Sequence, residues 1–435
     1  MLTKRPAIIM TAALALVLAG CARRATQDAS ETTADANASP KPVRVSADYA
    51  DAAEPSIAPG LDGTTFIAWV EHLPNKEANV MLAHLDREGR TTGAPVRVNP
   101  NGGEATAWRG DPPTVAVGAD GSVYVGWTAR VASERGHAND LYLSASRDEG
   151  RTFEPPVKVN DDGKKVAHAM HSLAVGRDER VYVVWLDERN VRLPQPGKGG
   201  KKMEHMEANR EVFFAASADG GRSFSKNLRL GEEACPCCKT ALAVGADDRV
   251  YASWRQVLPG EFRHIALASS EDGGKTFKQP VIVSDDRWMT ASCPVSGPAL
   301  SAHGASGTIR AVWYTEGDKG APGLYWAESR DGGQTFSESR PLAAGRSRGN
   351  PLLLMSVAMG TTAVWESHET GSSRVMYAPL ADKAQAAPLV ASGELPAAAV
   401  SGDRLFVGYI SKAGDRRSIW VVRHSLRASG PRPAA

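Results

Sequence analysis

Charge imbalance is what this sequence most plainly lacks: 51 lysines and arginines face 49 aspartates and glutamates, a formal +2. Without a basic surplus, no nucleic-acid partner is expected. Cysteine is scarce, five in 435 residues, too few for a disulfide scaffold of this size. The apolar run from Ala7 to Leu18 is too short to cross a bilayer as a stable helix. Helical periodicity over any long stretch is missing as well. What is plentiful is glycine (42) and proline (27), the currency of a turn-rich β protein. A 42% hydrophobic content supports a substantial core, and 23% charged residues exclude a chain disordered throughout. At about 150 residues per domain the length predicts two to three domains, unless one large β architecture takes up the chain.

The first twenty residues read as an address. Lys4 and Arg5 precede the apolar run, which ends Leu18-Ala19-Gly20-Cys21. That ending resembles the bacterial lipobox, which implies cleavage before Cys21 and acylation of its thiol. Ala22 after the cysteine points, by analogy with lipoprotein sorting, to the outer membrane. The expected organisation is a signal peptide over 1–20, a flexible tether over 21–40, a β domain over 41–426 and a disordered tail over 427–435. The protein is expected in the bacterial envelope, held to the membrane through Cys21, on the periplasmic side or at the cell surface, as a monomer.

A repeat fills the β domain. Short apolar runs end in an aromatic at Trp69, Trp127, Trp185, Trp254, Trp313, Trp365 and Tyr409, spaced by 58, 58, 69, 59, 52 and 44 residues. Each is preceded by a small-residue strand with a Gly/Asp turn, such as PTVAVGADG, and followed by a third strand such as DLYLSAS. A fourth strand follows most of them, such as PPVKVN. Units of four short strands predict an all-β β-propeller with seven blades, six being the alternative. The seventh unit runs out after three strands. The segment KPVRVS (41–46) matches the fourth-strand pattern APVRVN, so the N-terminal strand is expected to close the ring by pairing with the last blade.

Four units carry Ser-x-Asp-x-Gly-x-Thr/Ser-Phe between strands three and four, centred on Asp148, Asp219, Asp272 and Asp331; a degraded fifth lies near Asp86 and Gly89. These turns resemble the Asp-box, or BNR repeat, of sialidases and related propellers. Their expected role is structural: Asp and Ser satisfy turn amides, Gly takes positive φ and Phe plugs the blade.

Strand direction alternates, so loops joining strands two and three share a face with loops leading into the next blade. That face receives Arg109 and Asp111, then His168, Met170 and His171, then Cys235, Cys237 and Cys238. Arg287, Met289 and Cys293 follow, and after them Arg346, Arg348 and Asn350. The long loop of blade three adds Met203, His205 and Met206. Three uses of the thiols stay open. They could form two disulfides in any of three pairings. Cys235, Cys237, Cys238, Cys293, His168, His171, Met203, His205 and Met206 could form a soft donor set for copper or zinc. Cys235 and Cys238, in C-x-x-C spacing, could be redox-active.

The resemblance implies one activity, exo-α-sialidase. On that reading Arg109, Arg287 and Arg348 grip a substrate carboxylate and Tyr314 with Glu316 forms the nucleophile pair. The Arg-Ile-Pro motif typical of sialidases is absent, and typical sialidases have six blades. The face clustering instead favours a propeller that binds a metal, an envelope protein or a glycan at its mouth, with catalysis left open.

Overall fold

In a computed structural model, the described residues are 41–133, 137–191, 209–290, 294–303, 307–318, 320–358, 360–368 and 371–426. The expected signal, Cys21 and the tether lie outside them, as do 427–435, Met203, His205, Met206 and Cys293. Within them the fold is nearly all strand, with two 3-10 turns at Leu61–Gly63 and Pro74–Lys76. Antiparallel strands fall into sets of four, which we call blades 1 to 7: 51–97, 114–158, 168–234, 241–289, 299–344, 347–390 and 394–425. Blades 3 and 4 merge into one eight-stranded sheet through a single pairing, Ala234 with Gln256. The seventh set has three strands of its own, and Val43–Arg44 supplies the fourth by pairing with Val421 and Trp420.

First strands touch their neighbours in a closed cycle, blade 7 meeting blade 1, so they line a central axis. Second strands are the driest: every residue of Val181–Asp187 is buried, because that strand is covered on both faces. The repeated aromatics sit in these strands. Trp69, Trp127, Trp185, Trp254 and Trp313 are at most 2% exposed and wedge between blades. Trp254, for example, occupies space beside Gly231 of blade 3 that any Cβ there would invade. Periodic aromatics are thus the cores of the seams between blades.

The Ser-x-Asp-x-Gly turns share one geometry. In the third-blade copy, Asp219 Oδ1 accepts from Ser217 Oγ and the amides of Arg222 and Ser223, and Oδ2 accepts from Ser223 Oγ. The glycines Gly150, Gly221, Gly274 and Gly333 have φ of 80–83°. A Cβ at any of them would fall 2.5–2.8 Å from Leu82, Leu143, Phe214 or Leu267, each in the preceding blade. These turns therefore clamp neighbouring blades together. The degraded turn at Asp86 does the same at the closure, where Gly89 packs against Phe406 of blade 7.

Hydroxyl donation from the residue four positions on is the main force holding the Asp148, Asp219 and Asp272 carboxyls at about 2, down from 3.8. At Asp331 slight burial pushes the other way and the same bonds outweigh it, again to about 2. A depressed carboxyl stabilises the fold fully above the unfolded value and loses that contribution as pH falls towards 2. Replacing all four by Asn is expected to flatten the stability slope between pH 4 and pH 2, read by urea titration at each pH. Each turn is solvent-exposed, so its share is modest. Asp219→Ala alone is expected to cost about 1 kcal/mol.

Candidate functional site: the thiol turn and the channel mouth

Blade 3 ends on Leu228–Ala234, and the chain reaches blade 4 at Ala241 through Cys235-Pro236-Cys237-Cys238-Lys239-Thr240. Proline in second position suits a tight turn, which the Cys238 amide closes onto the Cys235 carbonyl at 3.4 Å. The turn is held from three sides. Cys235 N donates to Arg255 O at 2.8 Å, Arg210 Nη1 donates to Pro236 O at 2.8 Å, and Thr240 Oγ1 donates to Met170 O at 2.8 Å.

Three sulfurs converge inside it. Cys235 Sγ lies 3.6 Å from Cys238 Sγ and 3.9 Å from Cys237 Sγ, and the three fall within 4.8 Å of one another. All three are at most 3% exposed, beneath Val257. Cys235 and Cys238 are free thiols, while Cys237 is held in a disulfide. Donation from the Cys238 thiol brings Cys235 down to about 6 against the opposing effect of burial, and Arg255 and Arg263 help. Burial and that same shared proton push Cys238 up. At neutral pH the pair is one thiolate beside one thiol.

Arg255 supplies the cation. It is fully buried, donates from Nε and Nη2 to Ser296 O and from Nη2 to Tyr314 O, and lies over Trp288 at 4.9 Å. Among the described residues Nη1 has no hydrogen-bond partner. A buried guanidinium needs compensating charge, and the Cys235 thiolate is part of it. Sequence reading missed this residue. Its signal was a charge inside the otherwise apolar second strand VYASWRQVL.

The histidines go elsewhere. His168 Nδ1 meets Asn139 O at 2.7 Å and Nε2 meets Asp162 Oδ1 at 2.9 Å, with Asp187 at 3.8 Å. Burial disfavours its charge, but the carboxylates overcome that and raise its pKa. With both ring nitrogens engaged, His168 serves the seam between blades 2 and 3, not the thiols. His171 Nδ1 faces Asp111 Oδ1 at 3.2 Å, and its Nε2 has no partner among the described residues. Met170 is buried in a bulge with φ of 59° and contributes its carbonyl to Thr240. Of the nine expected donors, the structure brings three cysteines together, separates the two histidines, and leaves the other four outside the described residues.

Lys239, next to Cys238, turns toward the central axis. Its Nζ donates to Pro112 O at 3.1 Å and sits 4.0 Å from Asp111, and burial lowers its pKa to about 8 against the pull of that carboxylate. With Arg109 and Asn350 it lines a cavity of about 140 Å³ at the channel mouth. Arg109 is already satisfied by Glu366 at 2.8 Å and Glu394 at 3.2 Å. Arg287 lies instead over the Phe262 ring at 5.7 Å, and the side chain of Arg348 is outside the description. Tyr314 OH donates to Glu316 Oε1 at 2.6 Å, and burial together with that bond raises its pKa. Of the expected clamp, the two described side chains, Arg109 and Arg287, thus face different partners.

No protein-family model matches the chain, and no curated protein sequence matches it. Solved structures do. A protein of unknown function from Dyadobacter fermentans is 14% identical with a TM-score of 0.51, covering 89% of this chain and 100% of that one. Polysaccharide lyase Uly1 is 12% identical with a TM-score of 0.52, covering 86% and 90%. The sialidase of Trypanosoma rangeli, solved with sialic acid, is 14% identical with a TM-score of 0.46, covering 72% and 53%. At these identities the likeness concerns the fold, a β-propeller.

Proposed function

We propose that this chain is a lipid-anchored envelope β-propeller of the Asp-box kind whose thiol turn takes up a soft metal ion, Cu(I) before zinc. One observation carries the reading: the spacing of the sulfurs. An ion bound at about 2.3 Å by three thiolates holds them roughly 3.8–4.0 Å apart. Cys235 is 3.6 and 3.9 Å from its two neighbours and all three sulfurs lie within 4.8 Å of one another, so closing around an ion takes shifts of under an ångström. The donor chemistry agrees, since thiolate selects Cu(I) over hard cations, and one sulfur is ionised at neutral pH. Cys237 must leave its disulfide to join, so uptake follows mild reduction. The test is metal analysis with thiol counting on soluble protein beginning at Lys41, before and after reduction. One Cu(I) per chain after reduction is expected; a reduced protein that takes up none overturns the reading.

The Tyr314–Glu316 hydrogen bond keeps a second reading, exo-α-sialidase, open to test. Glu316 could act as the base that activates this phenol, but Arg109, the expected grip on a substrate carboxylate, is already paired with Glu366 and Glu394. No hydrolysis of a fluorogenic sialoside is expected. Turnover that Tyr314→Phe abolishes would restore the enzyme.

A further inference from the structure

One cleft among the described residues belongs neither to the channel nor to the thiol turn. It draws on blades 1, 2 and 3, has a volume of about 670 Å³, and its lining includes Lys76, Trp108, Arg130, His137, Asn139 and Arg210. That volume lies within the range of small-ligand sites.

Trp108 is the odd tryptophan of this protein. It belongs to no strand and is 41% exposed, while the five anchor tryptophans already described are buried in the seams. It nevertheless packs against its own turn. The Asp111 amide donates to its carbonyl at 3.0 Å, and its ring covers Gly110, where a Cβ would fall 2.5 Å from the indole. An exposed aromatic that is held rigid offers a large contact area at little entropic cost.

Around it the charge is one-sided. Arg130 donates to the backbone carbonyl of Lys76, both residues line the cleft, and among the described residues neither cation has a carboxylate partner. Arg210 is paired with Glu188, and the one carboxylate in the lining, Asp111, faces His171. Two unpaired cations and an exposed indole lining one cleft, with the unpartnered Thr106 hydroxyl in its wall, match one ligand chemistry. A pyranose ring places its apolar C–H face on an indole and its hydroxyls outward, and a carboxylate on that ring meets Lys76 and Arg130.

We infer that this cleft is a binding site for an acidic oligosaccharide built from uronate units. The inference is independent of metal uptake by the thiol turn.

The experiment titrates the purified full-length chain with trigalacturonate, maltotriose of equal length and an acidic tripeptide, by calorimetry and by acrylamide quenching of tryptophan emission. Trp108 is the one tryptophan more than a third exposed, so the loss of ligand protection in Trp108→Ala assigns the quenching change to it. Trigalacturonate is expected to bind at least about tenfold tighter than maltotriose, to weaken with salt, and to protect Trp108. Trp108→Ala should lower that affinity about tenfold, and Lys76→Gln, a surface change that leaves the fold intact, should lower it about threefold. Trigalacturonate binding no tighter than maltotriose, unaltered affinity in Lys76→Gln, or tighter binding of the acidic peptide would each overturn the assignment.

Discussion

Deleting Lys41 to Ser46 is expected to lower the melting temperature by about 5–10 °C and to make the protein aggregate, whereas deleting Arg23 to Ala38 leaves both unchanged. The short closing strand does more than its two paired residues suggest. Val45 N donates to Ile419 O at 2.9 Å, and Ile419 N in turn donates to Ser46 Oγ at 3.1 Å. Val45 is 5% exposed and joins Ile419, Val421, Ile67 and Trp69 in the core between blades 7 and 1. Burying a valine is worth about 1.5–3 kcal/mol, and each backbone bond adds about 1 kcal/mol. Their sum, about 3–5 kcal/mol, sets the temperature shift. Deletion also bares the edge of blade 7, a template for pairing with another chain. Differential scanning calorimetry with size-exclusion chromatography reads both effects. Equal tolerance of the two deletions would mean that the ring is closed by side-chain packing alone.

This closure was legible in the sequence because KPVRVS and APVRVN are the same strand written twice. The blades were legible for a similar reason, since aromatics such as Trp127 and Trp185 recur at a fixed place in the unit and every seam needs one. The clamping role of the Ser-x-Asp-x-Gly turns was only half legible. Local hydrogen bonds can be read from residue types, but the contact of Gly221 with Leu143 joins segments far apart in the chain.

The site divides differently. Topology predicts thiols and histidines on one face, yet a face says nothing about where a side chain points. Asp162 and Asp187 draw His168 into a carboxylate cage, and Asp111 draws His171 toward the channel. Carboxylates outcompete thiols for the buried His168 imidazole because they stabilise its charged form. Arg255 likewise enters the thiol centre from a second strand, a place where pattern reading expects apolar side chains. Trp108 was hidden by its own residue type, one more tryptophan in a chain that uses the others as core.

Cys235→Ser is expected to reduce Cu(I) affinity by at least about 100-fold, because loss of a direct ligand should exceed the 10–100-fold typical of residues that merely support one. Cys235 is the hub: it is the sulfur within 4 Å of both others and the one ionised at neutral pH. Cys238→Ser should cost less affinity, since Cys235 and Cys237 stay in place, but it removes the thiol proton that lowers the Cys235 pKa. His171→Asn is the control, because His171 faces Asp111 rather than the sulfurs. Competition with a chromogenic Cu(I) chelator measures all three against the reduced wild type. The pH dependence follows from the thiolate. Above about pH 6 Cys235 is ionised and affinity should vary little on its account. As pH falls below 6 a proton competes with the metal for that sulfur, and affinity should fall by up to tenfold per unit. A pH-independent affinity between 7 and 5, or Cu(I) binding that survives Cys235→Ser while His171→Asn abolishes it, would move the metal away from the thiol turn and onto the channel wall.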